Sequence, residues 1–188
     1  MKPVIVVMGV CGAGKSTVGA ALAQRLGAAF VDSDSLHPQA NVAKMAAGNP
    51  LTDGDRWPWL GLVGAELASP HPDGIIVACS ALKRVYRDAI RAKAPRTAFV
   101  QLNVELPVLQ GRVAQRPGHF MPPSLLKSQL EALEPLQADE AGLVVSVPEG
   151  IEAMVTQIFA QLPPTVAASA TEDAGIGLRQ DGLSPAAH

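Results

Sequence analysis

Residues 4–22 read VIVVMGVCGAGKSTVGAAL, and this stretch decides the fold. Val4–Met8 is an unbroken apolar run, as expected of a strand buried on both faces. Gly9-Val10-Cys11-Gly12-Ala13-Gly14-Lys15-Ser16 follows at once and satisfies G-x-x-x-x-G-K-[ST] in full. A helical stretch, Lys15–Leu26, opens directly behind it. Strand, glycine-rich turn and helix N-terminus in this order make a phosphate cradle. Backbone N–H groups turn inward, and the helix end adds partial positive charge. Gly9, Gly12, Ala13, Gly14, Lys15, Ser16 and Thr17 are therefore the expected ATP-phosphate contacts. Lys15 should reach the β- and γ-phosphates as a catalytic cation, and Ser16 should ligate Mg²⁺. Cys11, inside the loop, reads as a small space-filler; its place near a helix N-terminus also leaves oxidation sensitivity open.

Outward from this motif, short β-rich runs alternate with longer helical ones. The strands expected are Val4–Met8, Ala29–Val31, Ile75–Cys79, Ala98–Leu102 and Leu143–Val147. Helices are expected near Lys15–Leu26, Gln39–Ala47, Asp55–Leu67, Ala81–Lys93, Leu106–Gln115, Leu125–Leu133 and Ile151–Gln161. Such alternation predicts a three-layer α/β fold of the P-loop kinase class: a five-stranded parallel sheet flanked by helices, with a mobile lid. Residues 1–163 form the domain on this reading, and about 112–128 the lid. Residues 164–188 are rich in Ala, Gly and Ser and bury too little apolar surface to offset their ordering entropy, so they read as a flexible tail.

Composition narrows the function further. The 188 residues carry 15 basic and 17 acidic side chains, a net charge of −2 that argues against a nucleic-acid partner. The apolar runs are short and interrupted, so no membrane span is expected, and the N-terminus lacks a small-residue cleavage site. Two cysteines offer neither a disulfide framework nor metal-ligand spacing. A cytoplasmic location follows as the default.

The second apolar run ends in Asp32-Ser33-Asp34. Ligands of open α/β sheets bind at the carboxyl ends of strands. Two acids there, pointing the same way if the strand continues, suit a hydroxyl acceptor and a magnesium ion. Asp34 would orient the acceptor hydroxyl or take its proton, and Asp32 would help hold Mg²⁺ through water. An N-cap plus a solvated loop acid is the plainer alternative. Asp32 also fills a gap, since the third strand ends in Ala78-Cys79-Ser80 where many P-loop hydrolases carry a metal-binding aspartate. No Asn-Lys-x-Asp guanine motif occurs, which weakens a GTPase reading.

Ser80 reads as an N-cap with Lys83, Arg84, Arg87 and Arg91 on the helix behind it. Cations in a first helical turn oppose the dipole, so an anionic substrate would compensate them. The alternative is a solvated basic face partly paired with Asp88. Arg56 is a further candidate anion clamp, while Trp57 and Trp59 read as packing residues. Arg112 and Arg116, at i,i+4 spacing before the punctuated segment PGHFMPP, suit closure over the γ-phosphate, with Arg116 as a catalytic cation. His119 in that segment is a candidate acceptor ligand. His37 and His119 do not make a zinc site, and His37 reads simply as the residue before a helix-starting Pro38.

Four segments together resemble one family. GVCGAGKS (9–16), DSDSLHPQANVAKMAAGNPLTDGDRWPWL (32–60), ACSALKRVYRD (78–88) and GHFMPPSLLKSQLEALEPL (118–136) are similar to the bacterial gluconokinases of the small P-loop type. The likeness runs from about residue 4 to 162. It implies phosphoryl transfer from ATP to the C6 hydroxyl of D-gluconate, a shikimate-kinase-like fold with a lid, and commonly a homodimer. It carries the phosphate loop onto Gly9–Ser16, the acidic pair onto Asp32 and Asp34, and the basic helix onto Lys83, Arg84 and Arg87. Departures are small: the family often has Ser where Cys11 and Ala13 stand, and Gly where Ser33 stands. A kinase for another small hydroxy acid such as shikimate, a nucleoside monophosphate kinase, and a nucleotide-binding module without transfer activity are the alternatives.

Overall fold

The computed structural model describes residues 2–114, 123–146 and 150–162, with side chains at 123–125 left aside. The expectations for Arg116, His119, most of the lid and the 164–188 tail fall outside these residues. Five strands form one parallel sheet: β1 (Val4–Met8), β2 (Ala29–Asp32), β3 (Ile75–Ala78), β4 (Ala98–Asn103) and β5 (Gly142–Ser146). Their spatial order is β2-β3-β1-β4-β5. The chain leaves β1, passes over the place later taken by β3, and returns to add β4 on the other side of β1. The order therefore reverses around β1, and the crevice beyond its carboxyl end is where an open α/β sheet takes its ligand.

Seven helices flank the sheet among the described residues: α1 (Lys15–Leu26), α2 (Gln39–Ala46), α3 (Asp53–Ala68), α4 (Arg84–Lys93), α5 (Leu106–Ala114), α6 (Pro123–Ala132) and α7 (Ile151–Gln161). Because side chains alternate along each strand, β1 splits its core. Ile5 and Val7 pack with Leu22 of α1, Leu109 of α5 and Ile158 of α7, whereas Val6 and Met8 pack with Leu60 and Val63 of α3 and Ile90 of α4. Two apolar layers on one sheet make the three-layer architecture. None of the described helices is long and apolar enough to cross a membrane.

Among the described residues the strand and helix boundaries match the sequence reading within two residues except at the start of α4, and three local departures have clear causes. Asp34 does not extend β2; a 3-10 turn, Ser33–Leu36, begins there instead. The Asp32 carboxylate causes this, since its Oδ1 accepts the Asp34 N–H at 3.1 Å and the carbonyl of Asp32 accepts the Ser35 hydroxyl at 2.7 Å. Local side-chain bonds of this kind compete with strand geometry. Helix α3 starts earlier than expected because Thr52 and Asp55 form a reciprocal capping box, and Lys44 of α2 donates to the same Asp55 carboxylate. Helix α4 starts later: its N-cap is Lys83, not Ser80, and the turn before it passes through Ala81 at φ 41°. That left-handed conformation is strained for a residue with a Cβ, so something outside the loop must hold it.

Candidate active site

The phosphate loop crosses the carboxyl end of β1 as the sequence reading expects. Gly14, the N-cap of α1, has φ 93°, a conformation that favours glycine, and no side chain caps the helix behind it. A Cβ on Gly12 would come within 3.0 Å of Val113 Cγ2, so α5 packs directly on the loop. Arg112 on that helix donates from Nη1 to the carbonyls of Gly12 and Ala13, each at 3.3 Å. This puts a cation on the rim of the cradle. From the other side Gln129 of α6 accepts the Cys11 N–H at 2.7 Å. The loop is thus gripped by both helices that bracket residues 115–122. Nothing in the sequence marks Gln129, because a single glutamine in an ordinary helix carries no periodic or motif signal.

Lys15 is half-buried, and its Nζ donates to the Val10 carbonyl at 3.1 Å. Burial pushes its ammonium below the ordinary lysine pKa, and the nearby carboxylates of Asp34 and Asp32 oppose that shift. Such an ammonium gains from an anion placed beside it. Ser16 donates its hydroxyl to Asp32 Oδ2 at 2.5 Å. One hydroxyl and one carboxylate therefore meet at the base of the cradle, a donor set that fits Mg²⁺, which takes few protein oxygens and keeps phosphate and water for the rest. Asp34 is exposed at the mouth. Burial raises the Cys79 thiol to about 11, so it stays protonated in the floor of the site.

The basic helix needs correction. Arg87 is fully buried, and its Nε and Nη2 pair with the two oxygens of Glu140, each at 2.7 Å. Its Nη1 donates to the carbonyls of Ala81, Leu82 and Glu134. No substrate can reach it. Arg84 is committed to Asp139 by a two-pronged contact at 3.0 and 2.7 Å, and Glu134 accepts its backbone N–H at 2.6 Å. Arg91 completes the cluster by donating to both Asp88 and Glu140. The anion that compensates this helix is therefore the protein's own Glu134–Glu140 segment, fifty residues away in sequence. Charge spacing on the helix could not reveal a partner so remote.

Lys83 stays half-exposed, with Nζ 2.9 Å from Asp53 Oδ2, and the Tyr86 hydroxyl donates to the same carboxylate. These hydrogen bonds, that of Tyr86 first, hold the Asp53 carboxyl below the usual range. Arg56 lies near this group, 3.6 Å from Asp53, with its Nη1 also donating to the Leu51 carbonyl at 2.7 Å. Arg56 also acts electrostatically on His37, and Asp34, whose carbonyl accepts the His37 N–H at 3.4 Å, acts on it in the opposite sense. Asp34 and Arg56 are thus both felt by His37, while Lys83 is largely neutralised by Asp53. Trp59 is buried as expected and donates from Nε1 to the Ser33 carbonyl at 2.8 Å, while Trp57 is exposed and meets Tyr86 edge-on.

This geometry can be set beside known proteins. The family described as AAA domain matches residues 4–136. A gluconokinase from Gluconobacter oxydans is 47% identical over 151 residues, covering 78% of this chain and 84% of the relative. The crystal structure of a gluconokinase from Sinorhizobium meliloti superposes with a TM-score of 0.75 at 48% identity, over 83% of this chain and 89% of that one. A shikimate kinase from Acinetobacter baumannii, 21% identical with a TM-score of 0.60 over 87% and 97% of the two chains, shares the fold alone. A phosphate loop gripped by two helices, an acidic corner bonded to its serine, and likeness at this level over most of the chain lead to one conclusion: the protein is an ATP-dependent kinase that belongs to the gluconokinase family.

Proposed function

We propose that the protein transfers the terminal phosphoryl group of ATP to the C6 hydroxyl of D-gluconate. The observation that carries this reading is the split role of the acidic corner. Asp32 is bonded to the cradle through Ser16, whereas Asp34, two residues further on, stands exposed within electrostatic reach of Lys15 and free to meet an acceptor. In the reaction the C6 oxygen bonds to the γ-phosphorus, and the bond from that phosphorus to the bridging oxygen breaks. ADP leaves with the electron pair, and Asp34 takes the hydroxyl proton. Lys15 and the first-turn N–H groups of α1 hold the phosphates, and Arg112 neutralises charge from the rim. Ser16 and Asp32 are the residues that would hold Mg²⁺, which when bound neutralises charge on the transferring phosphates. Arg56 is the cation best placed for the substrate carboxylate, since Arg84, Arg87 and most of the Lys83 charge are spoken for internally.

We read residues 1–163 as the catalytic unit, with 112–128 as the segment that covers ATP and brings Arg116 and His119 to the site, and 164–188 as a tail outside that unit. A cytoplasmic homodimer completes the reading; Trp57 and Val85, exposed on the neighbouring helices α3 and α4, are apolar surface that a second copy would cover.

The test is ADP release by the full chain with Mg-ATP, comparing gluconate, shikimate, glucose and no acceptor. Release selective for gluconate is expected. Selectivity for shikimate would move the substrate to the other hydroxy acid, and release without any acceptor would reduce the protein to a hydrolase. In the same assay Asp34→Ala should lower kcat by about 100-fold, with KM for ATP changed by no more than about threefold. An unchanged kcat would remove Asp34 from the chemistry.

A further inference from the structure

His37 entered the sequence reading only as the residue before Pro38, yet the structure builds a polar fixture around it. Its ring stacks on Trp59 with centroids 4.2 Å apart and planes 15° from parallel. Trp59 is itself buried and pinned through its indole N–H to the Ser33 carbonyl. The imidazole therefore rests on a rigid shelf. Its tautomer is set by Asn41, which is also buried. Asn41 Nδ2 lies 2.8 Å from the Asp55 carbonyl and 3.4 Å from His37 Nδ1. A carbonyl can only accept, so the nitrogen assignment of the Asn41 amide follows from that first contact. Its second N–H then faces His37 Nδ1, which must accept. A proton on Nδ1 would set two donors against each other.

What remains is a neutral imidazole whose only N–H is on Nε2. Burial lowers the pKa of the ring, which keeps it neutral; Asp34 opposes this and Arg56 adds to it. Nε2 has no hydrogen-bond partner among the described residues, and its ring lies within electrostatic reach of both the proton acceptor and the carboxylate clamp. The backbone N–H of His37 also donates to the Asp34 carbonyl at 3.4 Å, which ties the ring's residue to the acidic turn. A donor held this firmly beside that turn, and without a partner of its own among the described residues, is arranged for a ligand.

We propose that His37 is an acceptor-binding residue: its Nε2–H donates a hydrogen bond to a hydroxyl oxygen in the polyol chain of the substrate, between the end held by Arg56 and the end facing Asp34. Trp59 and Asn41 are its positioning residues. The role is one of specificity, because it rewards a hydroxyl at one carbon of the chain. A site built to bond a hydroxyl discriminates against an acceptor that lacks it, since the donor is then left unsatisfied.

This inference rests on gluconate as the acceptor. The experiment compares the wild-type chain with His37→Phe, which keeps a flat ring on Trp59 and removes both nitrogens, and with His37→Gln, whose amide N–H can reach the position of Nε2. Steady-state constants are measured for ATP, for gluconate, and for gluconates each deoxygenated at one of C2 to C5. His37→Phe should raise KM for gluconate about 10- to 100-fold, the loss of one hydrogen bond to an oriented donor, and leave KM for ATP within about twofold. One deoxygluconate should show the same KM with both enzymes, and His37→Gln should recover much of the loss on gluconate. A KM for gluconate within twofold of wild type, or a loss spread evenly over ATP and every deoxygluconate, overturns the proposal. Should His37→Phe fail to fold, His37→Asn substitutes for it. That variant keeps an acceptor for Asn41 but cannot reach the Nε2 position, so it must show the defect that His37→Gln lacks. Wild-type inactivity on gluconate would remove the functional reading instead, whereas an active wild type with an indifferent His37→Phe removes only this inference.

Discussion

Lys15→Ala is expected to lower kcat about 1,000-fold while the protein melts at or above the wild-type temperature. Phosphoryl transfer proceeds through a loose transition state, so catalysis comes from positioning and charge neutralisation more than from base strength. Removing one preorganised donor from such a site costs about 100- to 1,000-fold, and the loop lysine supplies a full charge as well. Stability should move the other way. The Lys15 ammonium is half-buried, donates only to the Val10 carbonyl, and is held below its ordinary pKa by burial. Its removal relieves a desolvation cost that the folded protein otherwise carries. Rate measurements at saturating ATP, with a thermal melt on the same sample, check both halves. A kcat within tenfold of wild type would displace Lys15 from the chemistry, and a lower melting temperature would show that it supports the fold. The loss should exceed that of Asp34→Ala, since the base matters less than the charge.

Glu140→Ala should have the largest effect on stability, about 3–5 kcal/mol, because it leaves a buried guanidinium without its carboxylate. For a chain of this size that corresponds to a fall in melting temperature of roughly 10 °C or more. Burial alone would raise the Glu140 pKa; the hydrogen bonds from Arg87 and Arg91 overcome it and hold the carboxyl at about 2. A carboxyl depressed in the folded state stabilises the protein above its unfolded pKa, and that contribution disappears as pH falls through the folded value. Wild-type stability should therefore decline between the usual glutamate range and about pH 2, and the variant should show a flatter profile across the same window. Chemical denaturation at pH 7 and at acid pH tests this. Equal stability of the two proteins at pH 7 would mean that Arg87 finds another partner. Activity should suffer as well, because Arg87 holds the carbonyls of Ala81 and Leu82, and Ser80 in the same loop accepts the Gly9 N–H at 3.3 Å. The strained turn at Ala81 is thus fastened at both ends, to the buried ion pair and to the phosphate loop.

Local signals proved sufficient wherever the partners lie close in sequence. The β1 run, the glycines and Lys15-Ser16 make a strand, a turn and a helix start from contiguous residues, and apolar alternation along the chain carried the five strands and seven helices to within a few residues. The acidic corner was half legible: two acids at a strand end were visible, but the Asp32 side chain's bond to the Asp34 N–H, which turns the second acid out of the strand, is a competition between local and sheet hydrogen bonds that spacing alone does not decide.

The amino-acid sequence by itself determined the class of fold, the phosphate cradle and the identity of the acids beside it, because each depends on residues within one turn or one strand of each other. Only the tertiary structure decided which cations are already paired within the protein. Lys83, Arg84, Arg87 and Arg91 look alike along α4, yet Glu134, Asp139 and Glu140 claim three of them and Asp53 much of the fourth, while His37 gains a role through Trp59 and Asn41. The physical reason is that a charge or an imidazole is defined by what neutralises or orients it, and in a sheet whose order departs from chain order those partners arrive from distant segments.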